Sequence, residues 1–497
     1  MKKLLSFLLA SSLFFSVAAQ GTFSVEELQA DIDLAVEAYR TLHPGLYRYL
    51  DETSLTQAET KLRERLGEPT SLAEAFLAFT EFTGKIQCGH TYANFWNQKS
   101  TTQALLFNQP DKLPFTFQWY EDEILVLKNV SEVHELGRGA RITAINGIPA
   151  EDILASLLPY MKADGTNDAK RIHGLQIEGG GKFEFFDIYF PLLYPPTEGT
   201  YQLEVIPWDG EAPLTVQVEA ITREERIQRL ESSYGPVSQK PDDLWEFHLV
   251  GPGVAYLATG SFTTWHMEMN WKQFLKEAFQ TLEREDVHTL IYDIRGLEGG
   301  DNDVLKALAG HLFYESVQLP GQRERVTYTE VPASIRPHVG TWTDTYYNLK
   351  GRVESYDDRF YQLKRSSPVG RTWRGKRSAF SGKVYLLTDA ANSSAGFTLA
   401  QAMKATNRGT LVGQTTGGSQ QGINGGQMFF LTLPNTGIEL DVPLIGYFPT
   451  EATGSGGVVP HQEIIPTLDQ IVAQEDPVME WAMEQIALSN SEAVGKR

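Results

Sequence analysis

Two segments of the chain place residue types where they could act together on a carbonyl group. In the first, the apolar run Val384-Tyr385-Leu386-Leu387 leads through Thr388-Asp389-Ala390-Ala391-Asn392 to Ser393-Ser394-Ala395-Gly396. Leu399, Ala400, Met403 and Ala405 follow at helical spacing, so a buried strand delivers a serine to the start of a helix. Free backbone N–H groups and the positive end of the helix dipole lie at such a point, where an oxyanion could form. Ala395 and Gly396 are small and leave room for a substrate carbonyl. A serine in this place can equally serve only to cap the helix.

In the second segment, the apolar run Leu290-Ile291-Tyr292-Asp293-Ile294 ends in Arg295-Gly296-Leu297-Glu298-Gly299-Gly300. A glycine pair lets backbone amides approach a ligand closely, and a plain turn would use it too. Taken with the serine, Gly299 and Gly300 become candidates for an oxyanion hole. A third segment, Cys88-Gly89-His90-Thr91, offers an imidazole able to take and return a proton near neutral pH. Cys88 is a poor partner for His90, because side chains two apart on a strand point in parallel.

The elements around these residues divide the chain into regions. Residues 1–19 have the layout of a secretory signal peptide: Lys2 and Lys3, an apolar stretch over 4–17, then Ala18 and Ala19. The mature chain is expected to begin near Gln20 and to be exported, to a bacterial periplasm or the medium. Residues 20–110 form a helical region, with Leu28, Ile32, Ala35, Tyr39 and Leu42 on one face and a break at His43-Pro44-Gly45. Residues 111–228 read as short strands around one helix over 150–161, with a Gly- and aromatic-rich insertion over 165–200. From 240 to 480 strand-like runs alternate with helices, the pattern of βαβ units and a largely parallel sheet, interrupted by an excursion over 320–380.

Composition excludes several classes. A net charge of −20 argues against a nucleic-acid partner. No segment after the leader supplies ~18 uninterrupted apolar residues, so no membrane span is expected once the leader is cleaved. Cys88 is the sole cysteine, which rules out an intrachain disulfide and cysteine-rich metal sites.

The two catalytic-looking segments, in this order, resemble the core of the tail-specific (C-terminal processing) serine peptidases and the tricorn core. The resemblance continues through Gly413-Gln414-Thr415-Thr416-Gly417 and Gly457-Val458-Val459-Pro460 and covers most of residues 245–470. Leu297 stands where that family usually has Asn, and His461 where it has Asp. Residues 137–147, ending Ile145-Asn146-Gly147, resemble the signature of bacterial PDZ domains, and Asn146-Gly147 suits a tight turn.

The resemblance implies an α/β protein with a crotonase/Clp-protease-like ββα-spiral core, an N-terminal helical region carrying His90, and an inserted PDZ-like β-rich domain. It implies a serine-type endopeptidase with Ser394, rather than Ser393, as nucleophile. Many members take a lysine base soon after the Gly-x-x-Thr segment, but here Gly417-Gly418-Ser419-Gln420 contains none. The histidine-dependent branch is therefore indicated, with His90 as base and Glu451, or alternatively Asp441, orienting it. The amides of Ala395 and of Gly299 or Gly300 would hold the oxyanion. The expected partner is a peptide or protein, with no metal and no cofactor. The alternatives are a non-catalytic peptide- or ligand-binding protein on the same fold and a crotonase-like enzyme acting on acyl thioesters.

Overall fold

The computed structural model describes residues 21–495 apart from 211, 238–239, 319–321, 365–371 and 452. The expected leader over 1–19 and the start near Gln20 lie outside the described residues.

The apolar runs of the second half form one six-stranded sheet in the order Gln462–Glu463, Thr410–Gly413, Lys383–Thr388, Thr289–Asp293, Val254–Thr259, Trp245–Gly251. Every neighbouring pair is parallel except the terminal hairpin. Parallel strands are covered on both faces, which is why these runs are continuously apolar. Leu290 and Tyr292 face a core shared with the helices Trp271–Arg284, Asn302–Leu312 and Ser394–Ala405, while Ile291 faces the helix Pro477–Gly495. Leu387 lies opposite Asp293, and Thr388 opposite Gly413. This register ends the central strands at one level, so the serine segment and the Gly299-Gly300 loop emerge side by side. Arg295 braces that end, donating to the carboxylates of Asp293 and Asp476.

Residues 115–219 contribute an antiparallel sheet in the order Phe115–Tyr120, Glu123–Asn129, Arg141–Ile145, Thr200–Ile206, Leu214–Glu219, with Ile148–Pro149 paired to Arg141–Ile145. Asn146 and Gly147 have φ of 50° and 76°, and the turn they make leads into the helix Ala150–Leu157. The stretch over 150–161 finishes as a 3-10 turn, Leu158–Tyr160, where Pro159 cannot donate to an α-helical ladder. The 165–200 insertion folds into the helices Asp168–Gly174 and Phe185–Leu193. The second is fastened by Arg226, fully buried, which donates to Asp187 and to Glu184.

The N-terminal helices Val25–Leu42, Glu52–Arg65 and Leu72–Lys85 are each started by an N-cap side chain, from Ser24, Asp51 and Ser71. A third sheet packs against them, in the order Val339–Gly340, Asn424–Thr432, Glu439–Pro449, Gln322–Val326, Tyr361–Leu363, Val353–Ser355. The 320–380 excursion thus supplies four strands of a second sheet within residues 240–480. Its apolar face, including Phe429, Leu431, Val442 and Leu444, shares one core with the N-terminal helices and the 115–219 sheet.

Removing one partner of a buried charged cluster leaves the others uncompensated, at about 3–5 kcal/mol. Arg226→Ala is accordingly expected to destabilise the protein by about 3–5 kcal/mol, measured by thermal or urea unfolding. Exposed pairs set the contrast: Lys306→Ala, removing a partner of Asp303, is expected to change stability by less than about 1 kcal/mol.

Candidate active site

Ser394 is the first residue of the helix Ser394–Ala405, and its φ of 46° lies in the left-handed region. A non-glycine residue there costs about 1–3 kcal/mol and persists only where surrounding structure imposes it. The imposing contacts are visible. Asn392 is fully buried, donates to the carbonyls of Ile294 and Leu297, and accepts from the amide of Asp389. The carbonyl of Leu297 lies 2.4 Å from where a Cβ on Gly396 would stand, so only glycine allows this approach. Leu297 itself is buried in the core, with its backbone meeting the contacts of the turn.

Ser393 does not cap the helix; its hydroxyl donates to the carbonyl of Glu298 at 3.2 Å. The amides of Ala395, Gly299 and Gly300 donate to no protein acceptor among the described residues. Gly299 (φ 134°) and Gly300 (φ 137°) adopt backbone conformations that other residues avoid. A Cβ on Gly299 would come within 2.8 Å of the Ala395 nitrogen and 3.3 Å of Ser394 Oγ. The glycine loop therefore lies directly against the serine turn, and free donors from both flank Ser394.

His90 reaches this place through the third sheet. Its segment is tied there by Asp441 N–H donating to the Tyr92 carbonyl and by Asn424 Nδ2 donating to Cys88 Sγ. His90 Nε2 lies 3.4 Å from the Cβ position of Gly425. Among the described residues the ring makes no hydrogen bond, and its buried Nδ1 finds no partner. Burial lowers the imidazole pKa; the charge of Asp164 opposes that shift and Lys162 adds to it. Burial thus favours the neutral ring.

Ser394, His90, Gly299 and Gly300 line one cavity of about 830 Å³. Lys162, Asp164, Lys170 and Glu298 share it, with Trp265 and Trp342 exposed at its rim. Lys170, from the insertion, pairs with Glu298 and donates to the Ala391 carbonyl at 3.1 Å. Partial desolvation acts to raise the Glu298 pKa, but Lys170 and Lys162 outweigh it and hold the carboxyl down at about 2, although the side chain is 56% exposed. The Lys162 ammonium sits 4.1 Å above the Tyr92 ring. None of these four charged residues is assigned a role by the sequence motifs, and Lys162, Asp164 and Lys170 carry no local signal that would mark them.

The two acids expected beside His90 are placed elsewhere. Glu451 is exposed and does not line the cavity. Asp441 is buried, with its carboxyl oxygens accepting from Asn94 and Asn97, and burial pushes its pKa up to about 7. Cys88 is buried too, and burial followed by the nearby Asp164 charge pushes its thiol up to about 11, so it stays protonated. His461 accepts from the Leu411 amide through Nδ1 and pairs the strand edge. Among the described residues no group of three or more His, Cys, Asp or Glu side chains is arranged to hold a metal ion, and no helix is long and apolar enough to cross a membrane.

Residues 253–464 match the family model described as peptidase family S41. The fold is similar to that of mature CPAF in complex with lactacystin, at a TM-score of 0.64 and 15% identity, covering 95% of this chain and 99% of that one. A second structure of mature CPAF is similar at a TM-score of 0.59 and 14% identity, over 90% of this chain and 94% of that one. No curated protein matches the chain by sequence. The segment that matches the model of peptidase family S41 thus holds both the serine turn and the glycine loop.

Proposed function

We propose that the protein is an exported serine endopeptidase that cleaves peptide bonds through an acyl-enzyme, with Ser394 as nucleophile and His90 as general base. The observation that carries this reading is the convergence of Ser394, His90 and the unengaged amides of Gly299 and Gly300 on one cavity, with Ala395 lining a pocket that shares His90 and Ser394. Ser394 Oγ attacks the scissile carbonyl carbon while its proton passes to His90 Nε2. The tetrahedral oxyanion is held by the amides of Ala395 and of Gly299 or Gly300. Collapse breaks the C–N bond, and His90 returns the proton to the leaving amine. Water, deprotonated by His90, then releases the acyl group and restores Ser394.

Trp265 and Trp342, 64% and 69% exposed, offer apolar surface on which an extended peptide could lie. The 115–219 sheet, with its Asn146-Gly147 turn and the following helix, supports a PDZ-like module that would take a peptide by strand addition. Export rests on the composition of residues 1–19.

A fluorophosphonate probe tests the assignment. Folded parent and Ser393→Ala should be labelled, Ser394→Ala should not, and His90→Ala should be slowed at least ~10³-fold. Absence of labelling in the folded parent would favour the non-catalytic binding protein instead. Gly299→Ala should slow labelling by ~10²-fold or more, because its methyl would intrude on the oxyanion donors.

The pH dependence has a fixed sign. The base must be neutral, and burial lowers its pKa, so the labelling rate should rise with pH with its midpoint below the ordinary imidazole value of about 6.5. A midpoint above about 7 would contradict His90 as the base.

A further inference from the structure

Two buried polar atoms in the active-site cavity lack hydrogen-bond partners: His90 Nδ1 and Asp164 Oδ2. Asp164 is 2% exposed, and its other oxygen accepts the amide of Gly89, the residue before His90, at 3.0 Å. Asp164 Oδ2 lies 3.0 Å from the Cβ position of Gly89, so it too faces the His90 segment. A second bond, from the amide of Gly165 to the carbonyl of Gln87 at 2.9 Å, lays the two loops alongside each other. An unpaired buried carboxyl oxygen costs about 1–3 kcal/mol, and an unpaired imidazole nitrogen lining the same cavity adds to that.

The other carboxyls near the site are engaged or remote. Both oxygens of Asp441 accept from asparagines, Glu298 is paired with Lys170, and Glu451 is exposed outside the cavity. Resting on the reading of Ser394 and His90 as nucleophile and base, we infer that Asp164 is the positioning residue for His90. Asp164 Oδ2 and His90 Nδ1 are not bonded to each other in the structure; a side-chain rotation that lets Oδ2 accept the hydrogen of Nδ1 would select the tautomer whose Nε2 is free to take the Ser394 proton. The negative charge of Asp164 then favours the imidazolium formed during attack, in a site where burial and Lys162 disfavour it and Glu298 favours it. Arg48 and Lys162 in turn face the Asp164 charge.

Asp164→Asn separates this role from a structural one. The amide oxygen can still accept from Gly89, while its NH₂ group would meet Nδ1 as a donor and favour the wrong tautomer. With folding checked by thermal unfolding, fluorophosphonate labelling should slow by ~10²–10⁴-fold, and the acid limb of the rate profile should move to lower pH because a negative charge is lost. Slowing without movement of the limb assigns Asp164 a merely structural role and overturns the inference. So does an unchanged rate in Asp164→Asn, or a loss found in Glu451→Gln in its place.

Nitrogen-15 NMR of the parent, which needs no variant, should find the Nδ1–H tautomer of His90 at neutral pH; the Nε2–H tautomer overturns the inference. Labelling abolished in Ser394→Ala and His90→Ala but normal in Asp164→Asn would remove this inference alone. An unlabelled parent would remove the catalytic reading and this inference together.

Discussion

The active site depends on the buried amide of Asn392. Its Nδ2 holds the carbonyls of Ile294 and Leu297, which belong to the glycine loop, while its Oδ1 holds the amide of Asp389 in the serine turn. The register of Lys383–Thr388 beside Thr289–Asp293 brings these two chain exits together, and the amide then locks them. Losing it would leave several buried backbone groups unpaired, each costing about 1–3 kcal/mol. The left-handed backbone of Ser394 and the close approach of Gly396 to Leu297 follow from that lock. Strain at Ser394 is held by hydrogen bonds made elsewhere in the turn.

Burial treats the ionisable groups around this turn unequally. His43, fully buried, is pushed down to about 3 and makes one hydrogen bond, to Thr91 at 2.9 Å. His90 is only partly buried; it faces the cavity, and the charge of Asp164 opposes the lowering of its pKa. Cys88 is kept a thiol. Of the serines, cysteine and histidines in these segments, Ser393, Ser394 and His90 line the cavity, while Cys88 and His43 do not. Lys170 and Glu298 add a further tie, because the insertion that carries Lys170 is fixed to the glycine loop through that pair.

Much of the catalytic layer was legible in advance. The runs 290–294, 384–387 and 410–413 are strands in the structure to within a residue or two, because strands covered on both faces must be continuously apolar. The serine at the helix start and the glycine pair were legible for the same local reason, since each is a strand exit. The role of residues 165–200 was not legible, because its helices are defined by what they touch: Arg226, the glycine loop and the carbonyl of Ala391. Nor did the alternation over 240–480 reveal a separate antiparallel sheet that shares its core with helices four hundred residues earlier.

The sequence by itself determined the fold family, the strand-to-helix position of Ser394, the glycines of the loop and the absence of a lysine base near Gly417, since each is a matter of residue type at short range. Only the tertiary structure decided where each carboxyl lies relative to the His90 segment. Asp441 turned out to be held by Asn94 and Asn97, Glu451 lies on the surface, and Asp164 sits against Gly89. The physical reason is that acids are ordinary surface residues in sequence. Their chemistry arises from burial and from partners that come from distant parts of the chain.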